Sequence, residues 1–116
     1  EGLIATNTTI MEDGGIGGIS GNLLKSRAKK LRNALLKLLE KESDIQLIGV
    51  GGISSFDDLW EFWKNGGKVV QIYTSFIYQG PKILEDMKNE IDQVLKINNF
   101  ESVNELLNNI KTAKRK

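Results

Sequence analysis

Cysteine and histidine are both absent from the 116 residues, and proline occurs once, at Pro81. Without cysteine the chain can form no disulfide and offers no thiolate as nucleophile or metal ligand. Without histidine it lacks the side chain that exchanges protons near neutral pH and most often binds metal. An excess of either charge is lacking too. Sixteen basic residues against fifteen acidic ones leave +1, which is no global footprint for nucleic acid. No apolar run approaches the roughly 20 residues that span a bilayer, and no signal-peptide pattern is visible. What remains is 40% hydrophobic and 27% charged, the composition of a globular protein at the length of one domain. The chain opens on Glu1, without an initiator methionine, inside what reads as a strand, so it is expected to be a piece of something longer.

The order of elements follows from changes of period. Gly2-Leu3-Ile4-Ala5 is a short apolar run that breaks at Thr6-Asn7-Thr8-Thr9, as a buried strand does. The stretch from Asp13 to Gly21 is too rich in glycine to hold regular structure and reads as loop. From Asn22, residues Leu24, Ala28, Leu31, Leu35 and Leu38 recur every three or four positions, predicting an amphipathic helix to about Glu42. Ile45 to Val50 predicts a second strand, followed by Gly51-Gly52. Ser55 with Asp58 resembles a capping box with Asp in place of Glu or Gln. Leu59, Trp60, Phe62 and Trp63 form the body of that helix, and Asn65-Gly66-Gly67 stops it. Val69 to Tyr73 predicts a third strand. Pro81 suits the first turn of a helix carrying Leu84, Met87, Ile91, Val94 and Leu95. Ser102 to Glu105 is a capping box opening a last helix, and Lys114-Arg115-Lys116 reads as a frayed, solubilising tail.

Strands alternating with helices and apolar on both faces indicate an α/β fold, with a parallel sheet covered by helices. Three such strands cannot close a barrel, and both edges would stay unpaired, so the sheet is expected to need partners outside this segment. In parallel α/β folds the functional groups gather where strands end. Those positions here are Thr6-Asn7-Thr8-Thr9, Gly51-Gly52 and Tyr73-Thr74-Ser75. None offers a catalytic acid or base. All offer hydrogen-bonding groups or bare backbone, the arrangement barrels use to hold phosphate. Simple steric need would also explain the glycines. The Gly14–Gly21 loop lacks the lysine of a P-loop and reads as a lid or linker. Lys25, Lys29, Lys30, Arg32 and Lys37 could touch acidic lipid but read as the solvated face of an outer helix. Trp60 and Trp63 could stack on a base but, at helical spacing beside Leu59, read as core or interface.

The motifs GLIATNTT, GGISG, IGVGGISS and VVQIYTSFIYQGP occur in an order and spacing that together resemble the C-terminal part of the dihydroorotate dehydrogenase family, in its quinone-using, membrane-linked class. The resemblance covers essentially the whole chain. It implies that residues 1–116 are the C-terminal part of an FMN-containing TIM (β/α)8 barrel: the sixth, seventh and eighth strands with their helices and a terminal helix. It implies oxidation of dihydroorotate to orotate in pyrimidine biosynthesis, by hydride transfer from C6 to FMN and onward to a quinone. Thr6 matches an FMN contact, and Asn7 and Thr8 match the substrate-binding pair. Gly21 and Gly52 match glycines whose backbone lies against the flavin. Tyr73 and Thr74 match the pair that helps hold the FMN phosphate. Asparagine suits a planar pyrimidine with amide and carboxylate edges, because it both donates and accepts.

The same resemblance implies that the catalytic base, a serine, and a lysine beside the flavin belong to earlier strands outside this segment, so no catalytic residue is expected within it. Helices forming a quinone tunnel and membrane contact are likewise expected outside it. The complete enzyme would be a peripheral protein of the mitochondrial inner membrane or the bacterial cytoplasmic membrane, with the segment itself soluble. The stretch between Thr9 and Gly17 is shorter than is typical of the family. Two alternatives stand beside this reading. One is another FMN- or phosphate-binding barrel oxidoreductase, such as a relative of the dihydrouridine synthases. The other is a non-catalytic half-barrel that binds a phosphorylated ligand or a partner.

Overall fold

The computed structural model describes residues 2–5, 25–41 and 44–116. Within them the chain runs β1 (Gly2–Ala5), α1 (Lys25–Leu39), β2 (Gln46–Val50), α2 (Phe56–Lys64), β3 (Val69–Gln71), α3 (Thr74–Gln79), α4 (Lys82–Asn98) and α5 (Val103–Asn108). The three strands form one parallel sheet in the order β1-β2-β3.

Register explains how the sheet is covered. Ala5 stands opposite Gly49, which stands opposite Val70, and this row is buried or half-buried. The alternate row, Ile4, Ile48 and Val69, faces the other way, and Ile4 and Val69 are exposed. Successive side chains of a strand point to opposite faces, so one face is packed while the other presents apolar side chains. The sequence predicted strands buried on both sides; among the described residues only one face is covered. An apolar face of this kind needs further protein over it.

The core gathers Ala5, Leu47, Ile53, Phe56, Leu59, Trp60, Phe62, Trp63, Ile83, Met87, Val94, Leu106 and Ile110. Helix α2 supplies the aromatic centre, as its spacing predicts. Phe56 lies 5.8 Å from Trp60 and meets Trp63 edge-on at 6.3 Å, both favourable arrangements. The buried Trp63 indole donates to the Lys68 carbonyl at 3.0 Å, which removes the cost of burying its N–H. Ser55 is the N-cap of α2, its Oγ accepting from the Asp58 N–H. The Asp58 carboxylate in turn accepts from the backbone N–H of Ser54 rather than from that of the cap itself. Asn65 closes the helix. Ser102 caps α5 in the same way, and Pro81 stands immediately before α4.

Four expectations need correction. The third strand stops at Gln71, and the segment after it forms a short helix, α3, that its β-branched and aromatic residues do not announce. Helix α1 turns Ala28, Arg32, Leu35, Leu36 and Leu39 inward, while Leu31 and Leu38 are exposed. Arg32 therefore leaves the solvated face to which its charge assigned it, and Lys25 and Lys29 are engaged in ion pairs with α2. The tail is docked rather than frayed. The Asn98 side chain donates to the Lys114 carbonyl at 2.6 Å and accepts from its N–H at 2.8 Å. Beyond it Arg115 pairs with Asp57 and stacks 4.9 Å from the Phe56 ring.

Candidate functional site

Parallel pairing brings the C-terminal ends of all three strands to one edge of the sheet. Strand β2 runs into Gly51 and Gly52, at φ of 92° and 69°, in the left-handed region that side chains rarely adopt. A Cβ on Gly52 would also stand 2.6 Å from the Lys25 Cα, so the glycine lets the start of α1 approach bare backbone.

The turn after β3 is tied to this one. The Ser75 hydroxyl donates to the Ile53 carbonyl at 2.9 Å, and the Gln79 side-chain amide donates to the Ser54 carbonyl at 3.1 Å. Tyr73 precedes α3 as its N-cap and is 75% exposed, and Thr74 is the first residue of that helix. The segments that carry Gly52 and the Tyr73-Thr74 pair are thus tied to one another through neighbouring residues, Ile53 and Ser54 on one side and Ser75 and Gln79 on the other. Thr6, Asn7, Thr8 and Gly21 lie outside the described residues; Thr6 directly follows the last residue of β1, Ala5.

Behind the glycine turn lies a charged cluster. Arg32 is 4% exposed and donates to the carbonyls of Val50 and Gly51. Its guanidinium lies 5.9 Å from the Phe62 ring centre. Lys25 pairs with Asp58 and Lys29 with Glu61, each at 2.7 Å. Burial pulls Arg32 below the usual guanidinium value, with Asp58 and Glu61 opposing it. Burial pushes Asp58 the other way from its final position: it raises the carboxyl, but hydrogen bonds from Lys25, Ser54 and Ser55 outweigh it and hold Asp58 below the ordinary aspartate value. Arg32 is the residue that sequence reasoning missed. Its one signal is position, four residues after Ala28 and three before Leu35 on the inward face.

Among the described residues no group of acidic side chains is arranged to hold a metal ion, and no helix is long and apolar enough to cross a membrane. The strand-end rim offers backbone and neutral polar groups, which suit an anionic ligand held by N–H donors.

The family model for dihydroorotate dehydrogenase matches residues 2–95. The chain belongs to that family. Relatives in the dihydroorotate dehydrogenase family carry the similarity across most of its length. It is 35% identical to the dihydroorotate dehydrogenase (quinone) of Sulfurimonas denitrificans, over 92% of this chain and 31% of the relative. It is 40% identical to the mitochondrial dihydroorotate dehydrogenase (quinone) of Candida glabrata, over 83% of this chain and 24% of the relative. The chain thus spans about a quarter to a third of the length of these relatives.

Two crystal structures of Eimeria tenella dihydroorotate dehydrogenase superpose on 90% of the chain. The ligand-free one matches with a TM-score of 0.71 at 30% identity, and the ferulenol complex with 0.72 at 31%. The α/β architecture, with parallel strands and helices over one face, is that of part of the dihydroorotate dehydrogenase TIM barrel. The uncovered row of Ile4, Ile48 and Val69 fits this, since the inward face of such a barrel is filled by side chains from all its strands.

Proposed function

We propose that this chain is the C-terminal segment of a quinone-dependent, FMN-containing dihydroorotate dehydrogenase that oxidises dihydroorotate to orotate in pyrimidine biosynthesis. The similarity to quinone-class relatives over 92% of the chain carries this reading. The strand-end rim supports it, because a positive-φ glycine turn tied to the start of α3 presents backbone to a ligand without intervening Cβ atoms. These residues fit a flavin phosphate: the groups on offer are N–H donors and hydroxyls, with a buried cation behind them.

Bound FMN supplies the acceptor for the hydride leaving C6 of dihydroorotate. This segment's part is binding and orientation. Thr6, Gly21, Gly52, Tyr73 and Thr74 hold the cofactor, the last two at its phosphate. Asn7 and Thr8 orient the pyrimidine, the asparagine amide matching an edge that both donates and accepts. The base that removes the C5 proton, and the contacts to quinone and membrane, come from outside residues 1–116. The complete protein then works at the mitochondrial inner membrane or the bacterial cytoplasmic membrane.

The test is to release flavin from the complete purified protein and assay dihydroorotate oxidation with Asn7→Ala beside the wild type. FMN should be found, and the variant should lose turnover or raise KM for dihydroorotate at least tenfold, about 1.4 kcal/mol. Unchanged turnover and KM would overturn the substrate assignment. Absence of flavin would overturn the cofactor.

A further inference from the structure

We propose that Arg32 is a positioning residue for the cofactor phosphate: it draws the carbonyls of Val50 and Gly51 onto α1 and so turns the N–H groups of Gly51 and Gly52 toward the ligand. This rests on the flavin reading above and goes beyond it, since Arg32 lies on a different element from the turn it controls.

Four observations carry it. First, the peptide unit is planar and trans, so its N–H points opposite to its C=O. Arg32 accepts no hydrogen bonds and can only donate. When it holds the carbonyls of residues 50 and 51, the N–H groups of residues 51 and 52 are directed away from α1. Two consecutive donors aimed the same way, on glycines, suit a bound anion.

Second, the side chain is built into place. Its stem crosses bare backbone at Gly49, where a Cβ would stand 3.1 Å from the Arg32 Cδ, and its head lies over the Phe62 ring. At 4% exposure it cannot swing out to water as a surface arginine would. Third, a lysine would substitute only in part. One terminal nitrogen, Nη1, donates to both carbonyls while the delocalised, weakly hydrated guanidinium lies over the Phe62 ring. An ammonium is a compact, strongly hydrated charge on a flexible stem and suits neither the ring nor the burial.

Fourth, the charge is not balanced. Lys25 is matched by Asp58 and Lys29 by Glu61, at 2.7 Å each, which leaves the Arg32 cation over within this group of five. A partly buried unit of positive charge directly behind an anion's donors strengthens their hold, because little water screens it. It also accounts for a buried arginine where an aliphatic side chain would pack more cheaply.

The experiment compares FMN with riboflavin, which differs only in lacking the phosphate. In the complete protein, made apo and reloaded, dissociation constants for both are measured for wild type, Arg32→Met and Arg32→Lys, alongside the melting temperature of each apo protein. Methionine keeps the stem and packing but no donor. Arg32→Met should weaken FMN roughly tenfold or more, the scale of a lost charge-assisted hydrogen bond, and leave riboflavin within about twofold, so the ratio of the two affinities collapses. Arg32→Lys should restore part of that ratio through its charge. Equal losses for FMN and riboflavin, or none for either, would show a merely structural arginine and overturn the proposal. Should Arg32→Met not fold, Arg32→Lys decides alone: an unchanged affinity ratio refutes, a reduced one supports. A wild type that binds neither flavin refutes the cofactor reading itself, a different outcome from any of these.

Discussion

Replacing Gly52 by alanine puts the packing of the site under direct test. Two costs combine there. Residue 52 has φ of 69°, and an L-residue in the left-handed region costs about 1–2 kcal/mol. The new Cβ would also stand 2.6 Å from the Lys25 Cα and 3.1 Å from its Cβ. Ordinary contact begins near 3.4 Å. The obstacle is main chain at the start of a helix, so no rotamer change relieves it. Either the first turn of α1 retreats or the turn after β2 is pushed out, an overpacking cost of about 1–3 kcal/mol.

Gly80 supplies the reference. Its φ is 71°, almost the same, and its ψ of −168° puts it in a region nearly confined to glycine, yet no atom lies within 4 Å of its would-be Cβ. Gly80→Ala therefore carries backbone strain alone, and at least as much of it. In the complete protein, stripped of flavin to avoid stabilisation by ligand, denaturant midpoints of the two variants are compared at unchanged slope. Gly52→Ala should lose about 1–3 kcal/mol more than Gly80→Ala. If Gly52→Ala loses no more than backbone strain alone, about 1–2 kcal/mol, the contact between the glycine turn and α1 is not what the geometry states.

Acid should expose the role of Asp58. Its folded-state carboxyl sits below the ordinary aspartate value, so its contribution is present above the unfolded pKa and is lost as pH falls through the lowered folded one. Denaturant midpoints from pH 6 to pH 3 should therefore converge for wild type and Asp58→Asn at the acid end; a gap that stays constant would contradict this. Asn98→Ala should release the tail without disturbing the core. The Lys114 amide should lose its protection against hydrogen exchange while Val94 and Leu106 keep theirs, and equal loss at all three would count against a local clasp.

Much of the architecture was legible because it rests on local signals. Apolar runs marked β1 and β2, serine caps marked α2 and α5, and Asn65-Gly66-Gly67 marked a helix end. From parallel order alone, Gly51-Gly52 and Tyr73-Thr74 could be placed on one edge of the sheet. What escaped depends on tertiary context. Thr74–Gln79 has strand-like composition and becomes helical where it docks through Ser75 and Gln79 onto the neighbouring turn. The inward face of α1 was displaced because a pattern of polar and apolar letters counts arginine as surface. Arg32 is inside because carbonyls await it there, a fact no periodicity encodes. Asn98 could not be matched with Lys114, since the contact joins residues 16 apart across a reversal of the chain.

The Phe62 ring has a consequence for how this sequence can change over time. A Cβ at Gly49 would meet the ring at 2.9 Å, and one at Gly67 would meet it at 2.2 Å. One aromatic thus occupies the space of two absent methyls, on β2 and on the turn leading to β3. Alanine at either glycine is blocked while the ring stands, and removing the ring first opens a void costing several kcal/mol, of the order of 3–5 for a buried phenylalanine. After that loss alanine at Gly67 would fill space instead of contesting it, and the sign of its effect would reverse. Alanine at Gly49 would still need the Arg32 stem, 3.1 Å away, to give way. The three positions are held together by history: each is replaceable only in company with the others, and the order of replacement decides whether an intermediate survives.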